Sequence, residues 1–567
     1  MSTRPADYPP PVSPGEFVAA PTDPADERID VGILIVGGGP AGLAAAIRAG
    51  QLLQDRPELA ERLGDTPICV VEKGRAPGSH VLSGAVVNPR ALRLLFPGLH
   101  ADDMPFFGPV EHEAVYYLTP RRALRVPPPP TMLNDGNYIA SMSRLSRWLA
   151  ERAEELGVTI VPETAAARLL VGGGRVVGVR TGDRGRGKGG EELGNFEPGS
   201  DIVARATILA EGALGHLTRA AVETFGLEGD APQIYALGVK EVWEVARPLT
   251  RIVHTMGWPL SGKGWYSEFG GSFIYPMGKE MVSLGLVVGL DHTDATLSVH
   301  DLLQELKLHP LVRGILDGGT RVAWGAKTIP EGGFQALPRR LHFPGGMIVG
   351  DAAGLVNVPA LKGVHYAMRS GMLAAETALE SVGPGSTSWT PGALDSYDRA
   401  VRESFIGKDL WRVRNMRPAF KRGFVAGSAV AGLAAVSLGR LPGRNLPVEA
   451  DASSPMFVGN RRRAYPRPDG KLTFDKLSSV YLSGNKTRDD APDHIRVQRR
   501  VPRELAETWV SMCPAHVYEI VEGGSGESDV VTVEVTASNC VQCGAITAKG
   551  GRLTPPEGGD GPEYTLM

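Results

Sequence analysis

Cysteine is scarce: four residues in a chain of 567. So few exclude a disulfide scaffold. Three of them fall late, at Cys513, Cys540 and Cys543, which suits a reducing compartment with one specialised thiol site. Long apolar runs are also missing. None reaches the ~18–20 residues that a membrane-spanning helix needs. No charge of one sign dominates; the net charge of −3 gives no reason to expect nucleic acid. The first 29 residues lack the basic start and apolar segment of a secretory signal, and their acidity argues against a mitochondrial presequence. Proline-rich and polar, they read as a disordered tail. What remains is an ordinary globular composition, 42% hydrophobic and 22% charged, long enough for three or four structural units.

The first ordered stretch is "DVGILIVGGGPAGLAAAIRAGQLL". Val31–Val36 is a short, β-branched, apolar run, the pattern of a buried parallel strand. Gly37, Gly39 and Gly42 then form G-x-G-x-x-G before an alanine-rich helix. Gly37 permits the tight turn, Gly39 lets a pyrophosphate approach the backbone, and Gly42 lets the helix pack on the sheet. The helix N-terminus favours the anionic phosphates. A second apolar strand, "PICVVEKG", ends in Glu72, placed to accept hydrogen bonds from a ribose. Cys69, inside that strand, reads as an inert buried residue.

Two later segments point to FAD rather than NAD. "ATILAEGALGHLTR" (206–219) is another strand ending in a glycine turn. "GGMIVGDAAGLVNVPALKGVHYAMRSGMLAAETAL" (345–379) is a strand ending at Gly350-Asp351, then a loop and a long helix. Asp351 is placed for the ribityl chain. The helix start near Gly363 faces the pyrimidine edge of a flavin, where its dipole favours the anionic reduced form. These motifs lie more than half the chain apart, so the FAD domain is discontinuous. His365, on that helix, reads as packed or solvated rather than catalytic.

Between these pieces lie insertions of a substrate domain. A hairpin and a basic, glycine-rich loop occupy "RLLVGGGRVVGVRTGDRGRGKGGEELG", its charges read as solvated. Residues 232–340 contain strand-like runs such as "SFIYPM" and "MVSLGLVVGLD", suggesting a second sheet over the flavin. "WRVRNMRPAFKR" precedes the uncharged "GFVAGSAVAGLAAVSLG" and then "RLPGR". This pattern suits either a helix lying in the interface of an anionic membrane or a buried alanine-rich helix.

Together these motifs, with "GSHVLSGAVVNPRAL", "VHTMGWPL", "GGSFIYPM", "EGGFQALP", "NVPALKG", "YPRPDGKLTFDKLSSVYLSG", "CPAHVYE", "NCVQC" and "PEGGDGPEY", closely resemble the electron transfer flavoprotein–ubiquinone oxidoreductases from about residue 30 onward. The resemblance implies an α/β chain, α+β overall. Its parts would be a discontinuous Rossmann-like FAD domain (30–231 and 341–405), an inserted ubiquinone-binding and membrane-interface sheet domain (232–340 and 406–480), and a small C-terminal ferredoxin-like domain (481–567), after the tail 1–29. It implies FAD held by Gly37, Gly38, Gly39, Pro40, Ala41, Gly42, Glu72, Lys73, Gly350, Asp351 and Gly363. Quinone would bind at the backbone of Gly270 and Gly271, where a flat ring can approach main chain without side chains. The implied partners are electron transfer flavoprotein, ubiquinone and the cytoplasmic face of a bacterial inner membrane, touched through 79–99 and 424–438. Rival readings are a geranylgeranyl-reductase-like enzyme acting on isoprenoid lipids and a non-catalytic docking subunit.

The resemblance breaks at one place. The family's cluster takes a cysteine before proline, matched by Cys513, and a C-x-x-C-x-x-C run, matched by Cys540 and Cys543 but then by Ile546. Isoleucine cannot ligate iron. Three outcomes stay open for the expected [4Fe–4S] site. A cluster could persist on three thiolates, as a three-iron form or with His516 as fourth ligand. A Cys3His zinc site could form from the same residues. Or no metal binds.

Overall fold

The computed structural model describes residues 3–13, 15–22, 28–260, 268–381, 392–458, 463–521 and 530–567. Its first layer is a sheet whose parallel centre is Asp201–Leu209, Arg28–Val36, Ile68–Val71 and Thr159–Val161 in that spatial order. Ile33, Leu34 and Ile35 are fully buried, as the unbroken apolar run requires of a strand covered on both faces. On the far side of Asp201–Leu209, the hairpin 166–181 pairs with its first residues, and Gly346–Ile348 runs parallel to its last three. That hairpin therefore belongs to the flavin sheet.

The helices Pro40–Gln54 and Val364–Glu380 pack together through small residues. A Cβ on Gly371 would lie 2.1 Å from the Ala41 carbonyl oxygen, so only glycine lets the two axes come this close.

The second layer is a seven-stranded sheet in the order Thr320–Pro330, Tyr235–Glu244, Met281–Gly289, Gly270–Met277, Ile252–Gly257, Glu113–Leu118 and Ala123–Val126. The last two strands come from a stretch assigned by sequence to the flavin domain, so the chain crosses between layers earlier than the 231/232 boundary implies. Beneath the sheet, the Glu241 carboxylate meets the Lys307 ammonium at 2.9 Å and the Arg321 guanidinium at 3.2 Å, all buried.

The C-terminal unit pairs Arg500–Pro502 and Tyr518–Val521 on either side of Val530–Val535, with the helix Arg503–Met512 packed against them. Among the described residues its core is shared with the second sheet. Trp243, Leu284 and Trp324 of the second sheet join Trp509, Val533 and Ile546 in one apolar cluster.

Three expectations are corrected. Residues 1–29 are not a loose tail where they are described. Val18–Ala19 runs parallel to Leu169–Leu170, and Phe17 is buried, its ring 5.0 Å from His216 and 4.7 Å beneath the Arg552 guanidinium. The segment 79–99 offers little apolar surface: Val87, Ala91, Leu92 and Leu95 are spent in the flavin-domain core, and of its large apolar side chains only Leu94 is exposed. The basic loop is not simply solvated: Lys188 meets Asp493 at 2.8 Å, and Arg488 donates to the Arg186 carbonyl and to Glu557. It fastens the first layer to the C-terminal unit.

The helix Phe424–Val436 behaves differently. Only Gly427 and Ala434 are buried in it, while Val425 is 62% and Val436 88% exposed. Among the described residues no helix is long and apolar enough to cross a membrane.

Candidate functional site

The cleft begins at the glycine turn. Gly37 has φ +110°, a conformation reserved in practice for glycine. A Cβ on Gly42 would sit 2.1 Å from the Gly37 carbonyl oxygen. Gly39 differs: its Cβ would meet nothing nearer than Val81 at 4.0 Å. The space in front of Gly39 is therefore free for a ligand to reach the backbone. Pro40 opens the helix at its first position, where no amide is needed. The Gly38 amide donates to Glu72 Oε2 at 2.8 Å and the Gly74 amide to Glu72 Oε1 at 2.7 Å. Each carboxylate oxygen keeps a lone pair for a ribose, and Glu72 also fixes the turn it adjoins.

The second motif closes on the first. A Cβ on Gly350 would lie 2.9 Å from the Ala41 Cβ, and the Gly350 amide donates to Ser370 Oγ at 2.9 Å. Asp351 follows, its carboxyl pushed up by burial to about 6. Gly363 is the N-cap of Val364–Glu380, close enough that a Cβ there would be 3.6 Å from Asp351 Oδ1. An open glycine backbone, two helix N-termini and a half-buried carboxylate fit the phosphates and hydroxyls of a dinucleotide.

Lys73 adjoins Glu72, whose charge bears on it, but its ammonium turns away from the glycine turn. Its ammonium donates to Gln542 Oε1 at 2.5 Å, between the two late cysteines. Lys327 donates to the Gln542 carbonyl at 3.1 Å, and burial lowers it to about 8. Thr328 donates twice to the Cys543 carbonyl, from its amide and its hydroxyl, each at 2.9 Å. A buried polar seam thus joins the end of the Glu72 strand to the cysteine loop.

Gly270 and Gly271 open their strand, half-buried. A Cβ on Gly270 would lie 2.2 Å from the Val287 carbonyl oxygen, and one on Gly271 2.8 Å from that of Thr255. On the same sheet His254 Nε2 bonds the Tyr275 hydroxyl at 2.7 Å. Burial, then the charge of Lys362, lowers His254 to about 3. Lys362 itself is lowered by burial to about 8. Sequence reading missed Lys362, His254 and Tyr275; the signal for Lys362 was its place directly before Gly363. His365 is buried, stacked on Phe405 at 5.8 Å and lowered by burial to about 3, a packed neutral ring. Burial raises Cys69 to about 11, an inert thiol.

Cys513 caps the helix Arg503–Met512. With Cys540, Cys543 and Ile546 it lines a cavity of about 20 Å³. His516 is not with them. Its backbone is left-handed (φ 53°), which turns the ring outward to Glu519 at 3.1 Å. This removes both the fourth-ligand role for His516 and the Cys3His zinc set. Among the described residues, no three His, Cys, Asp or Glu side chains stand close enough to share one ion. Against the four thiolates of a [4Fe–4S] cluster, the donor set is one short.

The fold and the cleft define an FAD-dependent oxidoreductase with an added sheet domain and a cysteine-bearing C-terminal unit. Comparison with known proteins narrows the class. Family models match for "ETF-QO, ubiquinone-binding" at residues 235–329, "Electron transfer flavoprotein-ubiquinone oxidoreductase, 4Fe-4S" at 470–565 and "FAD binding domain" at 87–244. The mitochondrial electron transfer flavoprotein-ubiquinone oxidoreductase of Arabidopsis thaliana is 40% identical over 95% of this chain and 85% of its own. That of Pseudomonas aeruginosa is 37% identical over 95% of this chain and 100% of its own. The chain belongs to the electron transfer flavoprotein–ubiquinone oxidoreductase family. Among solved structures, a geranylgeranyl bacteriochlorophyll reductase-like protein from Thermoplasma acidophilum is similar in fold, with TM-score 0.53 and 19% identity over 73% of this chain and 91% of its own. That likeness is one of fold alone. The two rival readings have no comparable support, because the family relatives align through all three units.

Proposed function

We propose that this oxidoreductase takes electrons from a reduced electron transfer flavoprotein and delivers them to ubiquinone bound at Gly270 and Gly271. It would work as a peripheral, monotopic protein on the cytoplasmic face of a bacterial inner membrane. Gly37–Gly42, Glu72, Gly350, Asp351 and Gly363 would hold the FAD, which when bound supplies a carrier for electrons taken singly or in pairs. Residues 30–231 and 341–405, less the strands at 113–126, form the flavin unit in this reading. Residues 232–340 and 406–480 form the quinone and membrane unit, and 481–567 the ferredoxin-like unit.

One observation carries the reading. The exposed apolar helix Phe424–Val436 stands beside the proposed quinone site. Phe420, four residues before it, lies 5.4 Å from the ring of Phe269, the residue preceding Gly270. Arg417 lies 4.0 Å over the same ring and is anchored to Glu331 at 2.7 Å and Asp291 at 3.0 Å. The helix is flanked by exposed Lys421, Arg422, Arg440 and Arg444. An apolar surface bordered by cations suits the interface of an anionic membrane, and a lipid-dissolved quinone leaving that interface would reach Gly270 first.

The test uses full-length, FAD-loaded protein. Reduced electron transfer flavoprotein should bleach its flavin absorbance, and a short-chain ubiquinone should restore it within turnover time. Full flavin occupancy without reoxidation by the quinone would overturn the reading.

A further inference from the structure

The backbone of Gly270 and Gly271 gives a quinone ring a floor, but no side chain to grip its carbonyls. The sheet supplies one. Strands Ile252–Gly257 and Gly270–Met277 are antiparallel, with Val253 opposite Ile274, His254 opposite Phe273 and Thr255 opposite Ser272. Opposite residues share a face, and alternate residues return to it. Val253 and Ile274 lie in the apolar core on one face. His254, Phe273, Tyr275 and the open position of Gly271 therefore lie on the other. That face looks toward the first layer. A Cβ on Gly84 would be 3.3 Å from the Tyr275 ring and 3.5 Å from that of Phe273. Lys240, in the same cross-strand row through Gly285, donates to the Ser83 carbonyl at 2.8 Å. Among the described residues, chain neighbours aside, only the Thr255 carbonyl comes within 4 Å of where a Cβ on Gly271 would stand. Lys362, directly before the helix start at Gly363, is near enough for its charge to act on the His254 ring. His254 thus lies between the flavin cleft and the quinone glycines.

The ring is 4% exposed and held neutral by burial, so it carries one proton. Nε2 bonds the Tyr275 hydroxyl at 2.7 Å, and Nδ1 has no partner among the described residues. The hydroxyl has no other acceptor there. If Nε2 donated, both the phenol hydrogen and the Nδ1 lone pair would be left unmatched in a dry interior. If the phenol donates, only the Nδ1 N–H is left. The second arrangement strands one buried group rather than two, so the proton belongs on Nδ1. A buried donor without a partner is rare in a folded protein, and what satisfies it is an acceptor brought by a ligand.

We infer that His254 donates a hydrogen bond from Nδ1 to a ring carbonyl oxygen of the quinone, and that Tyr275 positions it by fixing the tautomer. A carbonyl oxygen only accepts, which matches the stranded N–H. The bond strengthens as electrons reach the ring and the oxygen gains negative charge. The assignment rests on a quinone being the acceptor, as proposed above, and adds the side chain that holds it.

The test takes full-length, FAD-loaded protein, reduced electron transfer flavoprotein as donor, and a short-chain ubiquinone isotope-labelled at each ring carbonyl carbon in turn. His254→Phe removes the donor and keeps an aromatic ring. Its KM for the quinone should rise roughly tenfold. His254→Asn, whose amide keeps an N–H in the place of Nδ1, should retain most of the affinity. In infrared difference spectra one labelled carbonyl stretch should be lowered in the unaltered protein and in His254→Asn, and should return toward its value in apolar solvent in His254→Phe. Ferricyanide takes electrons without that bond, so its reoxidation of the flavin reports folding and FAD content. The double variant His254→Phe with Tyr275→Phe leaves no buried phenol unpaired and gives the same readings should the single variant not fold. An unchanged KM and unchanged stretches in the phenylalanine variants, or equal losses in the phenylalanine and asparagine variants, would overturn the assignment. If ferricyanide but not the quinone reoxidises the unaltered protein, the quinone reading falls and the assignment with it.

Discussion

Gly42 shows how much one missing Cβ decides. In Gly42→Ala the new methyl must escape the Gly37 carbonyl oxygen only 2.1 Å away, so helix and turn move apart. A loss of about 1–3 kcal/mol is expected, read by denaturant melting, together with weaker FAD retention on gel filtration. Asp351 gives a pH signature. Its carboxyl sits near 6 when folded without flavin, above the ~3.9 of an unfolded chain. The folded state therefore binds the proton more tightly. Stability of the flavin-free protein should rise as pH falls through about 6, with the gain complete near about 4. In Asp351→Asn that rise should disappear from a melting series across the same window; an unchanged rise would assign it to another group. Both residues were legible in the sequence, because a glycine spacing and a Gly-Asp pair carry their physical reasons locally. His516 was not. Its distance from Cys513 suggested a ligand, but the left-handed backbone that turns its amide to one sulfur turns its ring away from all three.

The elements divide in the same way. The strand–turn–helix at 28–54 was readable from pattern because its periodicity and breakers lie within one stretch. The helix 424–436 was readable as apolar, but its exposure was not, since an interfacial and a core helix share a composition. The segment 79–99 misled for the same reason: apart from Leu94, its helix packs its apolar residues into the flavin-domain core beside Val364–Glu380. Phe17 was hidden because its partners, His216 and Arg552, are remote in sequence. A double substitution, Val425→Glu with Val436→Glu, places charge on two of the most exposed apolar positions. It should lower co-sedimentation with phosphatidylglycerol vesicles severalfold and leave the melting temperature nearly unchanged, as exposed positions allow. Equal sedimentation of both proteins would remove this helix from the membrane contact.

Across the molecule, the last residues tie the layers together. The Met567 backbone oxygen accepts from the Ser143 amide at 2.9 Å and from Ser141 Oγ at 3.1 Å. Tyr564 packs over Gly325 of the second sheet, and its amide donates to the Ser79 carbonyl at 2.9 Å. Both side chains are almost wholly buried. Removing residues 564–567 should cost about 1.5–3 kcal/mol for each of the two, seen as a lower denaturation midpoint, and should speed the loss of FAD. None of this was visible in "PEYTLM", because a strap is defined by what it crosses.

The strand Gly346–Ile348 pairs with Asp201–Leu209, and the helix Val364–Glu380 completes the cleft begun at Gly37. A nascent chain leaving the ribosome therefore carries an unfinished cofactor pocket throughout synthesis of the quinone sheet. The early glycine turn waits, half-lined, for a helix encoded more than half the chain later. Such long-range closure folds slowly, and until it happens the first layer exposes the apolar face of Pro40–Gln54. Free flavin in the cell would then act late, by trapping the closed pocket, and starvation for the vitamin would leave chains that chaperones and proteases can reach.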